Sequence, residues 1–243
     1  MKRFSLFLLL LFLISNVSSY KFLSESFLGA SKLKYILING KTLKKYICDS
    51  NYYVIDTREM ATIASGYIPN SILIPSAMFS WLYAVVPENS KVIIITDTAN
   101  KYTTIDAFTK LGKYNLIGYC IYEDVIKTSS FNIQTIEYDP NTKESITKIV
   151  NENQHIIDIR EATEYKNTGV IEQAQLIPLS TFQNNYVKIP REGNVYVFCK
   201  SGGRAVVGMS YVKRAGYTNK FIIMKGGMDQ AINEGYPTVP YDE

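Results

Sequence analysis

The chain repeats itself. Val54-Ile55-Asp56-Thr57-Arg58-Glu59 returns as Ile156-Ile157-Asp158-Ile159-Arg160-Glu161, displaced by 102 positions. Gly66-Tyr67-Ile68 returns as Gly169-Val170-Ile171, Ile74-Pro75 as Ile177-Pro178, and Val92-Ile93-Ile94-Ile95 as Val195-Tyr196-Val197-Phe198, each displaced by 103. A nearly constant displacement over matched features is the mark of a duplicated unit, and it has to be recognised before any element is assigned. Each copy is about 110 residues, within the usual range for a domain and long enough to bury a core of its own. Both copies place short, wholly apolar runs between helix-like stretches. In the first copy strands are predicted at 53–55, 71–74, 91–95 and 116–122, with helices at 41–47 and 103–111. In the second copy strands are predicted at 156–159, 174–177, 195–198 and 220–224, with helices at 144–152 and 205–215. Strands that are apolar on both faces and separated by helices form a mainly parallel, covered sheet, so the class is α/β.

The copies differ most after their third strand. In the second, Val195–Phe198 runs into Cys199-Lys200-Ser201-Gly202-Gly203-Arg204 and then into a helical pattern. Two glycines let the backbone curl until several N–H groups face one point, a concavity that holds an anion. The positive end of the following helix, Lys200 and Arg204 add to that field, and all three favour a thiolate at Cys199. In the first copy Thr96 stands in place of Cys199 and Lys101 in place of Arg204, with Asp97-Thr98-Ala99-Asn100 between and both glycines gone. Threonine supplies no anion near neutral pH and Asp97 repels one, so this loop is expected to be inert. Tyr122-Glu123-Asp124 likewise replaces the late pair Gly226-Gly227. The first copy is then a scaffold, a docking surface or a wall of the second copy's pocket.

Composition narrows the function. The net charge of +4 is spread over 243 residues without a basic block, so nucleic acid is not expected as a partner. Lys2 and Arg3 precede the apolar run Phe4–Ile14, and Val17-Ser18-Ser19 offers small residues, so residues 1–19 read as a signal peptide cleaved near Ser19. The run is too short to span a bilayer, which leaves no stable membrane span after cleavage and a secreted or periplasmic protein. Three cysteines are too few for a disulfide framework; Cys48 and Cys120 are read as two separate buried thiols rather than a bridge. The one histidine, His155, cannot build a His-rich metal site and sits at the start of its strand, far from Cys199, so it is read as structural and no metal or cofactor is expected. The polar stretch Asn132–Thr142, which contains Asp139-Pro140, divides the chain: 20–132 for the first copy, 133–142 for a linker and 143–243 for the second.

The second copy resembles the rhodanese family. The resemblance is carried by Asp158-x-Arg160-Glu161-x-x-Glu164-Tyr165, Gly169-Val170-Ile171 with Ala174, Ile177-Pro178-Leu179, the loop C-x-x-G-x-R at 199–204, and Gly226-Gly227 ahead of Gly235-Tyr236-Pro237. The family commonly has a histidine where Val170 stands. As a whole the chain is similar to tandem rhodaneses in which only the C-terminal copy is active. The resemblance implies a sulfurtransferase in which Cys199 takes a sulfane sulfur from thiosulfate or a related small anionic donor and passes it, as a persulfide, to a thiol or cyanide. Lys200, Ser201, Gly202, Gly203 and Arg204 would bind the donor, and Asp158 and Arg160 would brace the surrounding loops. Two other functions remain open: a non-enzymatic persulfide carrier or partner-binding module, and a cysteine phosphatase or arsenate reductase. Cysteine phosphatases separate Cys and Arg by one residue more than this loop does, which gives a tetrahedral oxyanion more room.

Overall fold

In the computed structural model the described residues are 35–241. Leu37–Glu243 form one compact unit; the unit Met1–Ile36 falls almost wholly outside the described residues, as does the expected signal peptide at 1–19. No helix among the described residues is long and apolar enough to cross a membrane.

The strands are β1 (Ile36–Leu37), β2 (Tyr52–Asp56), β3 (Ile72–Leu73), β4 (Lys91–Thr96), β5 (Asn115–Ile121), β6 (Glu137–Asp139), β7 (His155–Asp158), β8 (Gln175–Leu176), β9 (Asn194–Phe198) and β10 (Lys220–Met224). They form two five-stranded sheets, ordered β1-β5-β4-β2-β3 and β6-β10-β9-β7-β8. Position for position the second order is the first, and β2, β3, β4 and β5 pair in parallel as β7, β8, β9 and β10 do. The fold is α/β, with helices flanking both sheets. β6 arises inside 133–142, so the expected linker instead supplies the edge strand of the second sheet, parallel to β10. Glu137-Tyr138-Asp139 carries no apolar pattern because an edge strand in this position is open to solvent.

Alternation along the strands assigns each side chain to a face. Ile55 of β2 and Val92 and Ile94 of β4 enter one cluster, while Val54, Ile93 and Ile95 enter another confined to the first half. In the second sheet Ile157, Val195 and Val197 enter the former cluster, while Ile156 and Phe198 enter a third. The first cluster therefore belongs to both halves: it joins Ile72, Leu73 and Phe79 to Val206, Val207, Met209 and Val212. Each copy was expected to bury a core of its own, but one face of each sheet packs into a common one. The hydroxyl of Ser210, on the helix Gly203–Arg214, accepts a hydrogen bond from the Leu73 N–H of β3 at 2.9 Å. That helix starts at the thiol loop and runs to the seam between the halves.

Candidate active site

β9 delivers Cys199 at its C-terminal end, and the chain turns through Lys200 and Ser201 to Gly202, which caps the helix Gly203–Arg214 at φ +100°. L side chains rarely adopt that angle, so glycine is needed there. Gly202 N–H donates to Cys199 Sγ at 3.0 Å, and the N–H groups of Ala205 and Ser201 also interact with the sulfur. The converging donors expected from the glycines are present. Cys199 is only 1% exposed, however, and this changes its chemistry. Burial pushes the thiol above its ordinary pKa, and the Ala205 N–H, the Arg204 charge and the Ser201 and Gly202 N–H groups offset that only in part. The expected low thiol pKa is therefore not found in the closed loop.

The late glycines form the floor. Met228 N–H donates to Cys199 O at 2.8 Å, and Asp229 N–H to Lys200 O at 3.0 Å. A Cβ on Gly227, which has φ +59°, would lie 2.2 Å from Cys199 O and 2.5 Å from Lys200 O. The close approach is thus required, and it could not be told from a simple turn by spacing alone. Beneath it Asn141 Nδ2 donates to Gly227 O at 2.7 Å and Lys225 O at 2.9 Å. Asn141 lies in the stretch read as linker and carried no sequence signal.

Arg204 was expected to meet the donor. In the structure its two terminal nitrogens fork onto Glu164, Nη1 to Oε2 and Nη2 to Oε1, each at 2.6 Å. Its guanidinium also lies 5.1 Å from the Trp81 ring centre. Lys200 and Ser201 are exposed. Trp81 belongs to the 3-10 segment Ser76–Ala84 of the first half, and so does Met78, whose Sδ would be 3.2 Å from a Cβ on Gly203. The first half thus walls the loop. Neither contact is visible in the motif, because Trp81 and Met78 are far from Arg204 and Gly203 in the chain. Glu164 sits inside a recognised motif, yet only the folded structure shows that it faces Arg204.

Asp158 and Arg160 do not touch Cys199. Arg160 Nη2 donates to Asp158 Oδ2 at 2.7 Å and to Gly169 O at 2.8 Å, both side chains being buried. Asp158 pairs with Phe198 across β7 and β9, so this clip steadies the strand that ends at the thiol. The first half repeats it: Arg58 Nη2 donates to Asp56 Oδ2 and to Gly66 O, each at 2.7 Å. Where the first half has its equivalent of the thiol loop, Thr96 is buried with Oγ1 unpartnered, and Asp97 accepts from Asn100 N–H at 2.7 Å. A 280 Å³ cavity there is lined by Thr57, Ser76, Asn100, Thr103 and Thr104 with the carboxylates of Glu59 and Asp97. All three cysteines are free; Cys120 is buried, but Cys48, expected to be buried, is exposed just past the helix Gly40–Ile47. His155 pairs with Val195 at the opposite end of the sheet and packs on Gly193.

Residues 142–234 match the rhodanese-like domain family. A sulfurtransferase from Allochromatium vinosum is 27% identical over 84 residues, which are 35% of this chain and 77% of the relative. Among solved structures, a rhodanese-related protein from Thermoplasma volcanium aligns at 22% identity over 43% of this chain and 99% of its own, with a TM-score of 0.37. A thiosulfate sulfurtransferase from Pseudomonas aeruginosa aligns at 13% identity over 85% of this chain and 45% of its own, with a TM-score of 0.38. The rhodanese-like match takes in Asn141's neighbour Thr142, the Asp158–Arg160 clip, Glu164, the whole thiol loop and the Gly226-Gly227 floor.

Proposed function

We propose that this protein is a rhodanese-type sulfurtransferase with one active site, Cys199. The observation that carries this is the seat of its sulfur: a thiol at the end of a parallel strand, with N–H groups of Ser201, Gly202 and Ala205 turned to Sγ and a cation beside it. In the first step the Cys199 thiolate attacks the outer sulfur of thiosulfate or a related donor. A sulfur–sulfur bond forms to Sγ, the bond to the sulfonate breaks, and sulfite leaves with the electron pair. In the second step an acceptor thiolate or cyanide attacks the terminal sulfur, the bond to Sγ breaks, and the pair returns to Cys199. The loop N–H groups stabilise the sulfur whenever it carries charge, before the first step and after the second. Lys200, exposed at the loop, draws the anionic donor in, and Arg204 holds the field close to Sγ.

In this reading the chain is a tandem rhodanese whose first half is catalytically silent and serves as a wall. Its matching strand order and its Asp56–Arg58 clip support the tandem arrangement, Thr96 and Asp97 in place of the thiol loop support its silence, and the contacts of Trp81 and Met78 support its role as a wall. The apolar segment 4–14 supports export of the protein to a secreted or periplasmic location, with cleavage near Ser19.

The test is to incubate the protein with thiosulfate and follow its intact mass, then to add cyanide or a thiol and assay the product. The expected result is a gain of one sulfur atom on Cys199, discharged by the acceptor, and neither event in Cys199→Ser. A mass unchanged by thiosulfate and other sulfane donors would overturn the proposal. A sulfur adduct that no acceptor discharges would make the protein a carrier rather than an enzyme.

A further inference from the structure

The helix that begins at the thiol loop ends at a second cavity. Arg214 closes that helix roughly 16 Å along its axis from Gly203. The cavity has a volume of 390 Å³, within the range of small-molecule sites, and both halves line it: Cys48, Asp49 and Tyr53 from one, Tyr186, Tyr211 and Arg214 from the other. Tyr53, Tyr186, Tyr211 and Arg214 are all half-buried rather than sealed, so each keeps surface open to it.

Arg214 is a cation without an anion. Its Nη2 donates to Tyr52 O and its guanidinium lies 5.0 Å from the Tyr53 ring centre, but it forms no ion pair among the described residues. Its other N–H groups have no hydrogen-bond partner there either. Burial pulls it below its ordinary pKa, which Tyr53, Tyr211 and Asp49 offset in part. Asp49 does not neutralise it, since the Oδ1 of that carboxylate accepts from the N–H and Nδ2 of Asn51 at 2.9 and 2.8 Å. A charge taken out of water is ordinarily paired, so the free side of this guanidinium marks a place for an anion.

Three phenols converge on the same space. The rings of Tyr186 and Tyr211 meet edge to face with centroids 5.2 Å apart. Burial pushes the Tyr211 hydroxyl up to about 12; Tyr186 and Tyr53 add to the shift and Arg214 opposes it, which places all four groups within reach of one another's charge. None of the three hydroxyls has a hydrogen-bond partner among the described residues. The cavity therefore offers a guanidinium fork and phenolic donors, set between aromatic faces. A bare oxyanion would fill only a small part of 390 Å³, which leaves the tyrosine rings for an unsaturated ring of the ligand.

We propose that this cavity binds a small ring-bearing oxyanion of the aryl phosphate or aryl phosphonate class. Arg214 and the hydroxyls of Tyr53 and Tyr211 take the oxyanion, and the ring of Tyr186 packs against the ring of the ligand. Because the lining is drawn from both halves, the ligand bridges them.

The test uses the full chain and requires no sulfur transfer. Phenylphosphonate is the probe, methylphosphonate its ringless counterpart and benzyl alcohol its uncharged one, all read by backbone amide shifts. Phenylphosphonate is expected to give saturable shifts at Cys48–Ser50 and Ala215 with a Kd of about 1 mM or tighter, and to bind about tenfold more tightly than methylphosphonate, while benzyl alcohol should not saturate. Arg214→Met should weaken binding about tenfold or more, and Tyr211→Phe, which keeps the ring, about threefold. The absence of saturable shifts, equal binding of methylphosphonate or benzyl alcohol, or undiminished binding to Arg214→Met would each overturn the site. Should Arg214→Met fail to fold, the comparison of the three probes on the unaltered chain decides.

Discussion

Arg204 enters its helix one residue after Gly203, yet its guanidinium is spent on Glu164 rather than left open beside the thiol. Burial alone would push Glu164 up, but the hydrogen bonds from Arg204 and the Glu161 N–H bring it net below the usual carboxylate range. A carboxyl group lowered in this way adds stability above its unfolded pKa of about 4.3 and loses it as pH falls through the lower folded value. Glu164→Gln should therefore show a flatter loss of stability below about pH 4 than the unaltered protein, measured by denaturant unfolding across pH. The same change removes the charge that offsets Arg204. The pH midpoint for alkylation of Cys199 should then fall by roughly half a unit or more. A midpoint that stays put or rises would show that Arg204 does not govern the sulfur.

Among the elements, the turn from β10 into the helix Gly227–Asn233 bears the thiol loop. Gly227→Ala would press a Cβ onto the Cys199 and Lys200 carbonyls at a φ that alanine rarely adopts. A loss of at least 1–3 kcal/mol in urea unfolding is expected, with faster labelling of Cys199 as the loop lifts. Gly216→Ala, where φ is +89° but nothing lies within 4 Å of the new Cβ, separates angle from collision and should cost only about 1–2 kcal/mol. Equal losses in the two variants would mean that the floor contact is unimportant. The elements that sequence reveals are those with long apolar runs, which is why β4, β7, β9 and β10 fall where expected. The helices Met60–Ser65 and Ala162–Thr168 are too short to show a period, and β6 has no apolar face to show. Cys199, Gly202 and Arg204 were legible because the chemistry gathers them in six consecutive residues. Glu164, Asn141 and Trp81 were not, because each reaches the loop through the fold.

At the scale of the molecule, the shared cluster binds the halves into one cooperative body despite their separate sheets. Calorimetry should show a single transition in which the calorimetric and van't Hoff enthalpies agree. Two resolved transitions would mean that the halves melt independently. The same cluster determines what happens when the chain is cut. Ser130 and Asn132 are exposed, between the helix Tyr122–Thr128 and the paired backbones of Tyr67 and Gln134. A protease that nicks there leaves two fragments, and neither has all the apolar surface it needs to close without the other. They should travel as one particle in gel filtration and part only in denaturant. After mixing from separate solutions they should find each other again, as complementary fragments of a single protein rather than two proteins on one string.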